Sequence, residues 1–241
     1  MKKTFRTRNA RRHQSGFTLI ELLAVMTIIG VLASAGLQAM TRLSGSSEAN
    51  RTISGVTATL DMARQHAVAH NTYTWVIFAA NPATTEGFRL YVTVLESRDG
   101  TNMADANTPV DLDASATYQV GGTSGNLVLA QKMEIYRGAQ ITPLASSSPA
   151  PILPEPSAPN ATVSFRIPDT TASQAVAYLN SHPEAQRIVQ FSPTGQARIA
   201  SSISQVIELG LQPMKGTIPD AANSVAIQIN GFTGQTRVYR K

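Results

Sequence analysis

The hydrophobic pattern along this chain changes twice, from a continuous apolar run to a helical period and then to an alternating period. Residues 17–37 form a run of 21 residues with a single charge, Glu21. As an α-helix this run would be about 31 Å long at about 1.5 Å per residue, which matches a bilayer's hydrocarbon core of roughly 30 Å. The run therefore predicts a helix long enough to cross a membrane.

The next segment repeats its apolar positions every three or four residues, which is one face of an α-helix. These positions are Ile53, Val56, Leu60, Ala63 and Ala67. The opposite side is expected to carry polar residues such as Thr52, Thr59 and Gln65. We therefore expect an amphipathic helix over 38–72 that rests its apolar stripe on a sheet. Segment 43–47 is expected to separate the two helical parts as a hinge, and Asn71 to end the helix.

From residue 73 onward the period is two, and aromatic and β-branched residues are frequent, as in β-strands. Segments 73–80 and 87–96 predict an antiparallel hairpin, and 132–141 predicts another strand. The C-terminal third predicts five strands, over 161–167, 187–191, 205–211, 224–230 and 236–240, with a short helix over 171–180. Two similar turns, at Gly195 and Gly234, place glycine where a tight hairpin needs a positive φ.

Two segments break this pattern and predict loop insertions in the β-rich part of the chain. Segment 97–126 is polar and rich in Gly, Asp and Asn, which predicts an irregular insertion. Segment 143–160 holds six of the chain's 13 prolines, which exclude a helix or a central strand and favour an exposed, polyproline-like loop. The fold class is therefore α+β: a long N-terminal helix packed on an antiparallel β-sheet head over 73–241.

The charge distribution separates the first 16 residues from the rest. They hold six of the 20 Lys and Arg residues and none of the 15 acids, so the chain without them would have a net charge of −1 rather than +5. Positive charge before an apolar helix holds that end in the cytoplasm, which places the head in the periplasm of a single-pass inner-membrane protein. The basic residues are thus a topology signal, and no nucleic-acid binding is expected of the head.

The chain has no cysteine. An exported head of about 170 residues is large enough for one core without disulfides. Thiol catalysis is excluded by the same absence.

Three interpretations of the apolar segment compete: a secretory signal cut after Ala35, a plain membrane anchor, and a prepilin-type signal cut before the helix. Glu21 discriminates among them, because an acidic residue within a membrane helix costs roughly 2.5–3.5 kcal/mol on insertion scales. A signal or an anchor gains nothing for this cost. Cleavage between Gly16 and Phe17 would create an α-amine four residues before Glu21, and the amine of a neighbouring subunit could pair with the carboxylate.

The segment Gly16-Phe17-Thr18-Leu19-Ile20-Glu21-Leu22-Leu23 resembles the cleavage motif of type IV pilins and type II secretion pseudopilins. The resemblance implies cleavage after Gly16 and N-methylation of Phe17 by a prepilin peptidase, with Glu21 guiding subunit assembly. Gly30 also matches the family pattern. Many relatives have a proline where this chain has Gln38, so bending of the helix in a filament is left open.

The C-terminal order of turns and strands is similar to the head of H-type minor pseudopilins (the GspH/FimT family). This second resemblance covers roughly residues 50–241 and is less specific. Together the two resemblances imply a minor pseudopilin of a type II secretion pseudopilus. Its implied partners are the prepilin peptidase, other pilins or pseudopilins contacted through the N-terminal helix, and the inner-membrane assembly platform.

Two alternatives stay open. One is a minor type IV pilin for pilus assembly or DNA uptake, and the other is a membrane-anchored periplasmic enzyme or binding module. Little in the sequence supports an enzyme, since no Gly-x-Ser-x-Gly, Walker or GxGxxG motif follows a strand. His66 and His70 have the i, i+4 spacing of metal ligands but lack the HExxH glutamate. Asp111 and Asp113 are expected in a solvated loop, without the rest of a calcium motif. We therefore expect no catalytic residue, metal or cofactor.

Overall fold

The computed structural model describes residues 18–81, 88–122, 125–142, 163–168, 174–182, 186–215 and 218–240. Side chains at 35–46, 174, 215 and 221 are not included in that description. The predicted leader (1–16) and the whole of the proline-rich loop (143–160) lie outside the described residues. The chain divides into two compact units, with the boundary inside the first helix between Arg42 and Leu43.

Helix α1 spans Leu19–Ala69, and its backbone is helical through 43–47. The prediction that this segment interrupts the helix is therefore wrong. The predicted end at Asn71 is confirmed, because Asn71 has a φ of +50°. The amide of Thr72 donates to the carbonyl of Ala67 (2.9 Å) and the amide of Asn71 to that of Val68 (3.4 Å), which is the Schellman pattern.

The first sheet has five antiparallel strands in the order β4-β2-β1-β7-β8. The strands are β1 (Thr74–Asn81), β2 (Arg89–Ser97), β4 (Leu127–Arg137), β7 (Gln186–Phe191) and β8 (Ala197–Arg198). The predicted hairpin is confirmed, with β1 and β2 paired from Thr74↔Glu96 to Asn81↔Arg89. β1 is buried along most of its length, because both faces of this sheet are covered.

The second sheet has the order β10-β9-β11-β12, and β5 also pairs with β9. Its strands are β5 (Ala139–Ile141), β9 (Val206–Lys215), β10 (Ile218–Pro219), β11 (Val225–Asn230) and β12 (Thr236–Arg240). All of its pairs are antiparallel. The predicted strands near 205–211, 224–230 and 236–240 are thereby confirmed, although β9 extends beyond its predicted end.

The predicted strand over 132–141 is in fact two strands in different sheets. β4 begins earlier, at Leu127, and the chain turns at Gly138 before entering β5. Gly138 has a φ of +78°, and a Cβ placed there would lie 2.7 Å from Cβ of Glu48. The chain therefore changes sheets at a residue where only glycine avoids both backbone strain and collision with α1.

The head part of α1 lies between β4 at the margin of one sheet and β12 at the margin of the other. On the β4 side, the Thr52 hydroxyl donates to the carbonyl of Arg137 (2.5 Å). On the β12 side, Asp61 accepts from the Thr236 hydroxyl (2.7 Å), and the guanidinium of Arg240 donates to Asn50 (2.8 Å). The helix thus closes the gap between the two sheets.

The main core lies where α1 faces the inner sides of both sheets. The predicted stripe is fully confirmed, since Ile53, Val56, Leu60, Ala63 and Ala67 are all buried there. The sheets contribute Val, Leu, Ile and Phe side chains from β1, β2, β7, β9 and β11. The stripe therefore packs on two sheets rather than on one.

The prediction for the polar side of this helix was correct for Gln65, which is exposed, and wrong for the two threonines. Thr52 is 1% exposed and Thr59 is 5% exposed. The helix is enclosed on more than one side, so its buried arc is wider than the apolar stripe. Threonine is tolerated there because its hydroxyl finds carbonyl acceptors, as Thr52 does at Glu48 and Arg137.

A second core covers the outer face of the first sheet. It combines Trp75, Ile77 and Tyr91 of the sheet with β3 (Thr117–Gln119), β6 (Ser164–Arg166) and α2 (Gln174–Ser181). β3 and β6 form a short parallel pair. The predicted insertion 97–126 is thus largely irregular but not simply solvated, because Val110, Leu112 and Tyr118 are buried.

A hydrogen-bond network fixes the base of this insertion. One carboxylate oxygen of Asp99 accepts from the Thr101 amide (2.9 Å), the Thr101 hydroxyl (2.7 Å), the Ser97 hydroxyl (3.0 Å) and the Asn126 side-chain amide (2.6 Å). The bonds from Thr101 above all hold the pKa of Asp99 far below its usual value. Asn126 donates as well to the carbonyl of Met103 (2.8 Å).

The two predicted glycine turns are confirmed, with φ values of +80° at Gly195 and +65° at Gly234. They also meet, since a Cβ on Gly234 would lie 2.3 Å from the carbonyl oxygen of Gly195. Arg64 of α1 lies against both turns and donates to the carbonyl of Thr233 (2.6 Å). The two glycine turns therefore contact each other and α1 at one place.

Candidate functional site

The first turn of α1 holds the carboxylate that the sequence singled out. The Glu21 carboxylate accepts from the Thr18 amide and from the Thr18 hydroxyl, each at 2.9 Å. In return, the Glu21 amide donates to the Thr18 hydroxyl oxygen (3.3 Å). This reciprocal arrangement is a capping box, which satisfies donors that the first turn of a helix otherwise leaves free.

Within one chain, Glu21 is therefore a helix-capping residue. Gly16 and Phe17, the predicted cleavage and methylation residues, lie outside the described residues. The structure brings Glu21 together with Thr18, which the sequence reasoning did not list as a site residue. The spacing Thr-x-x-Glu just before an apolar run was the signal that would have identified it.

The helix that follows presents apolar side chains in every direction. Ten large apolar residues between Leu19 and Leu32 are 48–82% exposed. Two hydroxyl side chains of this helix bond back to its carbonyls: the Thr27 hydroxyl donates to the carbonyl of Ala24 (2.8 Å), and that of Ser34 to the carbonyl of Val31 (2.8 Å). Such a surface is costly in water and suits contact with apolar neighbours.

In this helix, side chains are described up to Ser34 and again from Ser47. Among the described side chains, no helical segment has the length and hydropathy needed to span a membrane.

The two histidines of α1 lie at its C-terminal end. The rings of His66 and His70 stack, with their centroids 4.2 Å apart. Nε2 of His66 contacts the carboxylate of Glu96 on β2. Glu96 is a second residue that the sequence reasoning missed, and no local signal pairs it with a histidine 30 positions away. Across the described residues, no three His, Asp or Glu side chains converge as a ready-formed metal site.

Asp111 and Asp113 tie the insertion to a distant loop. A carboxylate oxygen of Asp111 accepts from the Asp113 amide (2.9 Å) and from the Ser201 hydroxyl (3.0 Å). Asp113 accepts from the Ser201 amide (2.8 Å). Both aspartates are exposed, as predicted for a solvated loop, and their carboxylates also accept hydrogen bonds from protein donors.

The family model described as the prokaryotic N-terminal methylation motif matches residues 11–37, a segment that includes Gly16, Phe17 and the capping box of Thr18 and Glu21. The match supports a type IV pilin-like protein that prepilin peptidase processes and that assembles with other pilins, a structural kind of protein that is typically not an enzyme. No curated protein and no solved structure matches the chain.

Proposed function

We propose that the chain is a minor pseudopilin of a type II secretion system, a structural subunit that helps assemble a short periplasmic filament. The observation that carries this proposal is the methylation motif at 11–37, which overlaps the start of the helix α1. The α+β head, a helix packed on antiparallel sheets, is consistent with a pilin-like subunit.

In this proposal the chain is first a substrate. Prepilin peptidase cuts between Gly16 and Phe17 and methylates the new amine of Phe17. The apolar segment 17–37 is held in the inner membrane, with the basic leader in the cytoplasm and the head in the periplasm. The segment then contacts other pilins or pseudopilins and the inner-membrane assembly platform.

Glu21 has two successive partners in this proposal. In the single subunit, Thr18 donates two hydrogen bonds to the carboxylate. In the filament, the Phe17 amine of a neighbouring subunit pairs with this carboxylate. Pairing is favoured because a charge without a counter-charge is costly in an apolar environment. The presence of Glu21 therefore favours a position below the filament tip, where a neighbouring amine is available.

Leader processing provides the first test. Producing the chain in cells with a prepilin peptidase should give a mature protein that begins at N-methyl-Phe17, as measured by intact mass of the membrane fraction. Gly16→Leu should block cleavage. The matched control is Ala35→Leu, which would block a secretory peptidase and should leave prepilin processing unchanged. A mature chain that begins at Gly36 would contradict the proposal.

A second test separates secretion from piliation. Deletion of the chain in its native cells should reduce the proteins released to the medium, and reintroduction of the full chain should restore them. A loss of pili or DNA uptake with normal secretion would instead indicate a minor type IV pilin.

A further inference from the structure

Strand β12 differs from the other strands that lie at a sheet margin among the described residues. β3, β5, β6, β8 and β10 are two or three residues long, and β10 also contains Pro219. β4 is long, but its pairing with β2 shifts register twice. Shortness, proline and bulges each hinder the pairing of an edge with another chain. β12 has none of these features, because its five residues pair with β11 in one unbroken register.

The backbone of β12 has unpaired groups on the side that faces away from β11. The amide of Asn230 donates to the carbonyl of Gln235 (2.9 Å), so these two residues form a hydrogen-bonded pair just before the strand. Antiparallel pairs alternate between hydrogen-bonded and non-hydrogen-bonded, which puts Thr236, Val238 and Arg240 at non-hydrogen-bonded positions. Their amides and carbonyls therefore point to the free side. Among the described strands only β11 pairs with β12, so these groups can pair with a further strand.

Helix α1 holds this edge in place without covering it. Asp61 accepts from the Thr236 hydroxyl (2.7 Å), and the Arg240 guanidinium donates to Asn50 (2.8 Å), so both ends of β12 are tied to the helix. Between these contacts, Val238 is 39% exposed. An edge that is already fixed loses less conformational entropy when a partner binds, which favours binding.

We propose that β12 binds an extended acidic segment of a partner protein, which adds to the second sheet as a further strand. Main-chain hydrogen bonds supply affinity in this mode of recognition, and alternate side chains supply specificity. Val238 and Tyr239, which is 42% exposed, offer apolar contact on opposite faces of the strand. The proposal concerns the head and does not depend on leader processing or on the type of filament.

The charge of β12 selects an acidic partner. Arg237 and Arg240 are both exposed, Lys241 follows them in the sequence, and the strand itself contains no acidic residue. Like charges placed opposite each other disfavour the pairing of two copies of β12. Glutamate or aspartate side chains on an incoming strand would instead face arginines of opposite charge.

A short, end-blocked, fluorescently labelled peptide of alternating Glu and Val tests the proposal. It is titrated against the full chain in an uncharged detergent, and binding is measured by fluorescence anisotropy. We expect saturable binding that weakens as salt is added, because salt screens exposed charges. The same peptide with Lys in place of Glu should bind at least about tenfold more weakly, and so should the acidic peptide to Arg237→Glu, because both changes place like charges together.

Hydrogen exchange separates strand addition from attraction by charge alone. Binding of the acidic peptide should slow exchange at the amides of Thr236, Val238 and Arg240, which point to the free side of β12. The amides of Arg237 and Tyr239 already face β11 and should change little. Val238→Pro removes one of the free amides at a position where an edge strand tolerates proline, and should lower peptide affinity by about fivefold or more.

The matched control is Lys132→Glu on the interrupted edge of β4. It reverses an exposed charge in the same way and should leave peptide affinity unchanged. Circular dichroism verifies that each variant is folded. The proposal would be overturned by a lack of saturable binding, by equal affinity of wild type and Arg237→Glu, or by slowed exchange outside β12. Tighter binding of a single-stranded oligonucleotide to the same residues would also overturn it, and would identify the basic edge as a nucleic-acid contact.

Discussion

At the scale of single residues, the first turn of α1 answers why an apolar helix carries a carboxylate. A charge without partners in such a segment would be costly. Thr18 supplies two donors to Glu21, and the Glu21 amide returns one to Thr18. The carboxylate is therefore hydrogen-bonded within its own chain.

Glu21→Gln should separate membrane insertion from assembly. The variant removes the charge, so insertion and leader cleavage should continue, while in the proposed filament the Phe17 amine of a neighbour would lose its counter-charge. We expect reduced incorporation into the filament and reduced secretion, measured by crosslinking to the neighbouring subunit and by the amount of secreted protein. Thr18→Val should weaken capping by roughly 0.5–2 kcal/mol, and Thr18→Ser should preserve it. Normal incorporation of Glu21→Gln would show that the charge is dispensable.

At the scale of elements, α1 is stabilised in the head chiefly by packing. Its apolar stripe is buried between two sheets, and polar contacts along both margins fix its position. Helix propensity alone would not keep this segment helical, since it contains Gly55 and several threonines and serines, which are weaker helix formers than alanine. A Cβ on Gly55 would lie 2.3 Å from the ring of Tyr136, so this glycine makes room for a β4 side chain against the helix.

Leu60→Ala should lower the free energy of unfolding by about 2–5 kcal/mol, because the side chain is fully buried in the main core and its loss leaves a cavity. Denaturant unfolding of the head measures the change. Val68→Ala on the same helix is the control, since Val68 is 49% exposed and should change stability by less than about 0.5 kcal/mol. Similar values for the two variants would contradict the assigned packing.

The bend between β4 and β5 permits a second comparison. Gly138→Ala should be destabilising for two reasons, its φ of +78° and the 2.7 Å approach to Glu48. Gly122→Ala shares only the first reason, because Gly122 has a φ of +89° and no atom within 4 Å of an added Cβ. We expect about 1–2 kcal/mol for Gly122→Ala and a larger loss for Gly138→Ala, measured by thermal unfolding. Equal losses of stability in the two variants would mean that α1 shifts to make room for the added Cβ at Gly138.

At the scale of the whole molecule, one core joins the helix to both sheets, and the chain has no cysteine to reinforce it. A fragment 46–241 should therefore be soluble and should unfold in a single cooperative transition. A fragment 72–241 should not fold, because removal of α1 exposes the inner faces of both sheets. Circular dichroism and denaturant titration of the two fragments compare them, and a cooperatively folded 72–241 would contradict this role of the helix.

The sequence by itself determined what depends on short-range pattern. The 3.6-residue period located the buried stripe of α1, and alternation located most strands of both sheets. Glycine identified the turns at Gly195 and Gly234, and Asn71 the helix end, because a positive φ is a local requirement. The methylation motif is also local, and its residues were recognisable before any fold was known.

Only the tertiary structure decided what depends on partners distant in sequence. It divided the strands between two sheets, split one predicted strand at Gly138, and buried Thr52 and Thr59. It also placed Glu96 against His66. Periodicity reports which face of an element is apolar, but not how many neighbours enclose that element or which charge lies across from it. Those outcomes follow from packing over the whole chain, where burial and hydrogen bonding are satisfied together.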